Sequence, residues 1–136
     1  MASFSIPEMA IIQETIMFDH IGLQVKNLDA GVRFYRAALE SLGHVLASEG
    51  DGYAGFGPAG EPALWLYAAP DSTGGHTHVA FRAGSRKAVE AFHTAGLQAG
   101  GRDNGAPGLR LDYSPNYYGA FLIDPDGNNV EAVCFV

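Results

Sequence analysis

The chain is poor in cysteine and in positive charge, and both shortages exclude classes of function. Cys134 is the single cysteine among 136 residues, so an intrachain disulfide is impossible and a reducing compartment, the cytoplasm, is expected. Set in an apolar run near the C-terminus, that thiol reads as a small buried hydrophobe rather than a nucleophile. Eight Lys and Arg face 15 Asp and Glu, a formal charge of −7. Such a balance repels nucleic acid and anionic membranes and leaves a small molecule or another protein as partner. No Lys or Arg precedes Lys26, and Pro7, Glu8 and Glu14 interrupt the Met- and Ile-rich start. That start is therefore expected to be neither a signal peptide nor a membrane span. Residues 1–16 are read as an N-terminal extension, an extra strand or an arm on a partner subunit, and 17–136 as one domain. A Ser-His-Asp order, a Cys-His pairing and a phosphate loop are also missing. Gly55 to Gly60 spells G-x-G-x-x-G, but Pro58 and Pro62 prevent the helix whose N-terminus would hold a pyrophosphate, so it reads as a glycine turn.

What is present is patterned. With 47% hydrophobic and 17% charged residues the chain has the composition of one globular domain. Phe18 to Val25 alternates, with Ile21, Leu23 and Val25 on one face and His20, Gly22 and Gln24 on the other, as in a half-buried strand. Asn27 or Asp29 can cap a helix whose stripe is Leu28, Val32, Tyr35, Leu39 and Leu42 and whose stop is Gly43. Two short strands are expected between His44 and Gly60, and a third over Ala63 to Ala69.

After a linker from Pro70 to Gly75 the order begins again. A lag of 58 residues maps His20 to His78, Ala30 to Ala88, Phe34 to Phe92, Ala37 to Ala95, Leu39 to Leu97 and Gly43 to Gly101, an internal duplication. Ser85 caps the second helix, with Ala88, Phe92 and Ala95 expected on its packing stripe. Gly100 to Tyr117, rich in Gly, Pro, Asn and Tyr, reads as an ordered loop over a pocket. Tyr118 to Ile123 resumes strand character, and Asp124-Pro125-Asp126-Gly127 fits a type I turn. Asn129 to Val136 closes the chain with Glu131, Val133 and Phe135 on one face. The fold class is α+β: two tandem βαβββ modules, 17–70 and 76–136.

Phe18-Asp19-His20-Ile21-Gly22-Leu23, Thr77-His78-Val79-Ala80-Phe81 and the run from Tyr118 through Asp124-Pro125-Asp126-Gly127 to Glu131 together resemble the vicinal oxygen chelate superfamily. That group contains glyoxalase I, extradiol dioxygenases, fosfomycin-resistance proteins and bleomycin-binding proteins. The resemblance covers Met17 to Val136. It implies an open, cupped mixed β-sheet or barrel with helices on the outer face, and three ligands, His20, His78 and Glu131, for a divalent Fe, Mn, Ni or Zn. It also implies a small substrate with vicinal oxygen donors, with Glu131 and Tyr118 in the chemistry. Where glyoxalase I offers a fourth ligand this chain has Trp65, which departs from that enzyme and suits an apolar wall for substrate.

Arg82, Arg110, Tyr113 and Tyr117 are the further candidates for substrate contact. His76 is either an outer-shell or replacement ligand or a turn residue, and His44 and His93 are taken as hydrogen-bonded structural histidines. A homodimer is implied, with His20 facing His78 and Glu131 of the partner subunit. The alternative is a metal-free module of the bleomycin-binding kind that sequesters a small molecule in a cleft of Tyr53, Phe56, Trp65, Tyr67 and the loop tyrosines.

Overall fold

The computed structural model describes residues 16–136; the expectation for 1–15 lies outside the described residues. In the first module β1 (Ile21–Val25) leads to α1 (Leu28–Glu40), β2 (Val45–Gly50), β3 (Tyr53–Gly57) and β4 (Leu64–Ala68). In the second, β5 (His78–Arg82) leads to α2 (Arg86–Gln98), β6 (Arg102–Leu109), β7 (Tyr118–Ile123) and β8 (Asn129–Cys134). The sheets are ordered β1-β4-β3-β2 and β5-β8-β7-β6. In each, the first and last strands pair in parallel while the remaining pairs are antiparallel. Two mixed four-stranded sheets with a helix packed on each is the expected α+β architecture. They remain separate sheets, not one closed barrel.

The helices show why the duplication was visible. Each has 13 residues and an N-cap side chain, Asn27 or Ser85, that accepts from the backbone N–H three residues on, the donor a helix start leaves unpaired. Gly31, Phe34, Tyr35, Ala38 and Leu39 are buried in α1, and Val89, Phe92, His93 and Gly96 are buried in α2. Those positions correspond at the 58-residue lag. Leu97, the copy of Leu39, breaks the rule at 41% exposed. Ala88 and Ala95 lie beside the buried stripe, which runs through Val89 and His93 instead.

The helices meet closely because α2 carries glycine at the crossing. A Cβ at Gly96 would lie 2.3 Å from a Leu122 methyl and 3.2 Å from the Phe34 ring, and one at Gly101 only 2.5 Å from that ring. Phe34 of the first module therefore seats in the second. One core runs through both modules, from Leu23, Phe34 and Leu66 to Val89, Phe92, Leu122 and Val130. Each such side chain contributes about 1.5–3 kcal/mol by leaving water.

The hairpin turn between β7 and β8 fastens them further. The Asp124 carboxylate accepts from the backbone N–H of Asp126 and Asn128 and from the Asn128 side-chain amide. It also accepts the Tyr35 hydroxyl at 2.5 Å. Asp126 accepts the Lys26 N–H at 2.8 Å, and Asn128 that of Thr77 at 3.2 Å. The turn expected only to join two strands thus anchors α1, β1 and the linker. Its Gly127 N–H bonds to the Asp124 carbonyl at 3.0 Å, the bond that closes a β-turn.

A further expectation is overturned. The stretch from Gly100 to Tyr117 is not a continuous loop, because Arg102–Leu109 is strand β6. Register shifts between Asp103 and Gly105 and between Gly105 and Gly108 absorb the extra residues as bulges, and Pro107 falls inside the second. Only residues 110–117 form the connection.

Candidate metal centre on the second sheet

Alternation along β5 and β8 decides which side chains share the open face. In β5, Val79 turns to the core while His78, Ala80 and Arg82 are exposed. In β8, Val130, Ala132 and Cys134 belong to the core cluster, so Glu131, Val133 and Phe135 take the other side. The parallel register sets Ala80 beside Glu131 and His78 beside Asn129. Across the small Ala80, His78 leans toward Glu131, its Nε2 2.6 Å from Oε1. The two differ sharply in exposure: the histidine side chain is 55% exposed and the glutamate side chain 2%.

The other carboxylate oxygen, Oε2, accepts the Tyr117 hydroxyl. Burial, followed by the hydrogen bond and the charge of Glu131, pushes the Tyr117 hydroxyl well above its usual value, so it stays a protonated donor at neutral pH. The ring stands edge-on to Tyr113 at 4.9 Å and to Phe135 at 5.4 Å, and the Arg82 guanidinium lies 5.2 Å over Phe135. Tyr117 alone of these touches the His78–Glu131 pair; Tyr113 reaches it through the Tyr117 ring, and Arg82 through Phe135. Tyr117, expected only to touch substrate, reaches the carboxylate itself.

Tyr118 does not. It lies on the face of β7 that carries Ala120 and Leu122 and packs against the core, with its hydroxyl 2.7 Å from Glu90 on α2 and Arg86 over its ring at 4.7 Å. The strand begins at Tyr118, so the alternation that placed Glu131 correctly also turns Tyr118 to the helix side. Arg110 is engaged as well: it donates to the carbonyls of Ala106 and Gly108 and covers Phe121 at 5.3 Å, bracing the end of β6.

His20 stands apart from the pair. It precedes β1, its Nδ1 bonds to Asp19 at 2.7 Å, and it lines a cavity of about 200 Å3 with Leu39, His44, Phe56 and Phe81. Neither His78 nor Glu131 lines that cavity, although Ala80 does. Among the described residues no three His, Cys, Asp or Glu side chains gather as a metal group. His76 occupies a left-handed backbone position, φ 71°, before β5 and is exposed, which makes it a turn residue and breaks its alternation with His78. His93 is structural as expected, its Nε2 2.9 Å from Asp103. His44 is not satisfied in that way, since its enclosed Nδ1 has no hydrogen-bond partner among the described residues.

On the first sheet the equivalent central position is Trp65, between Gly22 and Gly55 in register. A Cβ on Gly55 would sit 2.6 Å from the indole, and one on Gly22 3.0 Å from the Tyr67 ring. Both aromatics thus lie on a floor of bare backbone, with Tyr53 6.1 Å from Trp65. Tyr53 and Tyr67 remain 36% and 45% exposed. Phe56, grouped with them from sequence, is buried in the core instead.

Two repeats, each a strand, a helix and three strands, with a His–Glu pair on the second sheet, define a class of fold. The model of the Glyoxalase/Bleomycin resistance protein/Dioxygenase superfamily matches residues 17–132, and the chain belongs to that superfamily. Among solved structures, a glyoxalase/bleomycin resistance protein from Albidiferax ferrireducens T118 is 28% identical, with a TM-score of 0.75 over 87% of this chain and 98% of that one. A putative glyoxalase from Bacillus halodurans is 23% identical, with a TM-score of 0.66 over 90% of this chain and 98% of that one. A mutant of glyoxalase I from Zea mays is 28% identical over 84% of this chain but 44% of its own, with a TM-score of 0.63. A search of the curated proteins found no match.

Proposed function

We propose that the protein is a metal-dependent enzyme of the glyoxalase-like or dioxygenase-like kind, acting on a small molecule with adjacent oxygen donors. The observation that carries this reading is the Glu131 carboxylate, with 2% of its side chain exposed and Oε1 2.6 Å from His78 Nε2. An imidazole nitrogen and a carboxylate oxygen side by side on an open face are donors that suit Fe, Mn, Ni or Zn. A carboxylate this buried needs a positive or hydrogen-bonding neighbour. His78 and Glu131 would hold the ion, and His20 of a second copy would supply the third donor in a homodimer. When bound, the ion supplies Lewis acidity toward vicinal oxygens. The chain's own groups do the rest: Tyr117 donates to Oε2 of Glu131, while Tyr113, Phe135 and Arg82 wall the approach. Elemental analysis of the protein as isolated tests the reading. About one divalent ion per chain is expected, lost in His78→Ala; a metal-free protein that gains no thermal stability from Mn, Fe, Ni, Co or Zn overturns it.

The aromatic floor of the first sheet favours a second reading, a binding protein that sequesters a planar small molecule against Trp65, Tyr67 and Tyr53. Ligand affinity unchanged in both His78→Ala and Glu131→Ala supports it.

A further inference from the structure

We propose that Tyr117 is a positioning residue for Glu131: its hydroxyl holds Oε2, so that Oε1, beside His78 Nε2, is the oxygen turned toward a divalent cation. This rests on the metal reading above and adds a residue to it. With 2% of the Glu131 side chain exposed, water cannot replace a lost partner on either oxygen, so an unshared one bears its full desolvation cost. Among the described residues the carboxylate receives hydrogen bonds from two groups, the imidazole at Oε1 and the phenol at Oε2. A cation taken up between His78 and Glu131 replaces the first of these, because it claims the lone pairs of Nε2 and Oε1. The phenol is then the one donor left to orient the carboxylate.

The ring is built to stay in place. Tyr113 and Phe135 meet it edge-on at 4.9 Å and 5.4 Å. The Tyr117 carbonyl accepts the Arg110 N–H at 2.8 Å, and the Arg82 guanidinium lies 5.2 Å over the Phe135 ring. Tyr117→Phe keeps every one of these contacts and deletes only the hydroxyl.

The test is calorimetric titration of the full-length, metal-stripped protein with Mn2+ and with Zn2+. Loss of an outer-shell partner costs about 10–100-fold in metal affinity, and that weakening is expected for Tyr117→Phe, while Tyr118→Phe, whose hydroxyl bonds Glu90 on α2, should bind as wild type. The visible absorption of Co2+-loaded Tyr117→Phe should shift as the freed carboxylate re-orients, a change that lost packing alone does not cause. Phe135→Leu loosens the ring without touching the hydroxyl and should weaken binding in the same direction by a smaller factor, so the idea survives even if Tyr117→Phe folds badly. Wild-type affinity and an unshifted Co2+ spectrum in Tyr117→Phe overturn the positioning role and leave the metal reading standing. A wild-type protein with no saturable uptake of either ion overturns both.

Discussion

The central strands of the two sheets, β4 and β8, occupy the same place in their modules and carry opposite chemistry. Trp65 lies between two glycines, Gly22 and Gly55, while Glu131 lies between Ala80 and Phe121. In the first module the bulk of the open face comes from the central strand and its neighbours recede to bare backbone. In the second, the bulk comes from Phe121 and the central strand gives a carboxylate. The lesson is that a duplicated scaffold keeps its buried pattern, because the shared core requires it, and is free to diverge on the open face. Phe34 and Phe92 remained alike; Trp65 and Glu131 did not.

The largest expected effect comes from removing that asymmetry at its chemical end. On the proposed metal reading, Glu131→Gln should weaken metal binding by more than the ~100-fold that loss of an outer-shell partner costs. Trp65→Ala should leave metal content intact and lower small-ligand affinity by about 10-fold, or about 1.4 kcal/mol. Calorimetry on both variants checks this, and loss of metal in Trp65→Ala would show that the sheets do not divide the work as described.

A second comparison lies on the helices, where Tyr35 and His93 occupy matching buried positions and each bonds a carboxylate, Asp124 and Asp103. Tyr35 reaches into the other module; His93 stays within its own. Tyr35→Phe should cost about 1.5–3 kcal/mol, the range for a hydrogen bond to a charged group, and more than His93→Gln, as measured by urea unfolding.

A smaller effect is expected on the aromatic floor. Gly55→Ala places a Cβ 2.6 Å from the indole; the exposed edge of the ring can lift, so the overpacking cost should stay near about 1 kcal/mol. The chain has one Trp, so a changed emission maximum reports the displacement directly, and an unchanged spectrum would refute the close fit.

The smallest effect concerns pH. The Gly105 N–H and then His93 hold the Asp103 carboxyl below its ordinary value of 3.8. A lowered folded-state pKa gives stability that is present above the unfolded value and lost as pH falls through the folded one. Asp103→Asn should therefore melt slightly lower than wild type near neutrality and flatten the profile below about pH 4, where the two proteins converge. A parallel profile for the variant would remove Asp103 from the account.

Much of this arrangement was legible in the residues because it is local. The helical stripes, their caps and the alternation that sends Glu131 to the open face all follow from spacing along one element. Strand β6 was hidden by its own bulges: Gly105, Pro107 and Gly108 spoil the alternation that would reveal it, and its pairing with β7 is set by a partner elsewhere in the chain. Tyr118 was expected on the side of Glu131 although the contrary signal was present, since counting back from Leu122 and Ala120 turns it inward. The Tyr35–Asp124 bond left no sequence signal, joining residues 89 positions apart.

That separation bears on how the protein is made. Synthesis proceeds from the N-terminus, so α1 leaves the ribosome with the Tyr35 hydroxyl and the Phe34 ring unmatched, and their partners follow only with α2 and the final hairpin. Contacts that span most of a chain cannot form until nearly all of it exists. These two contacts therefore wait for the second repeat, and the hairpin at Asp124 ties the modules together last.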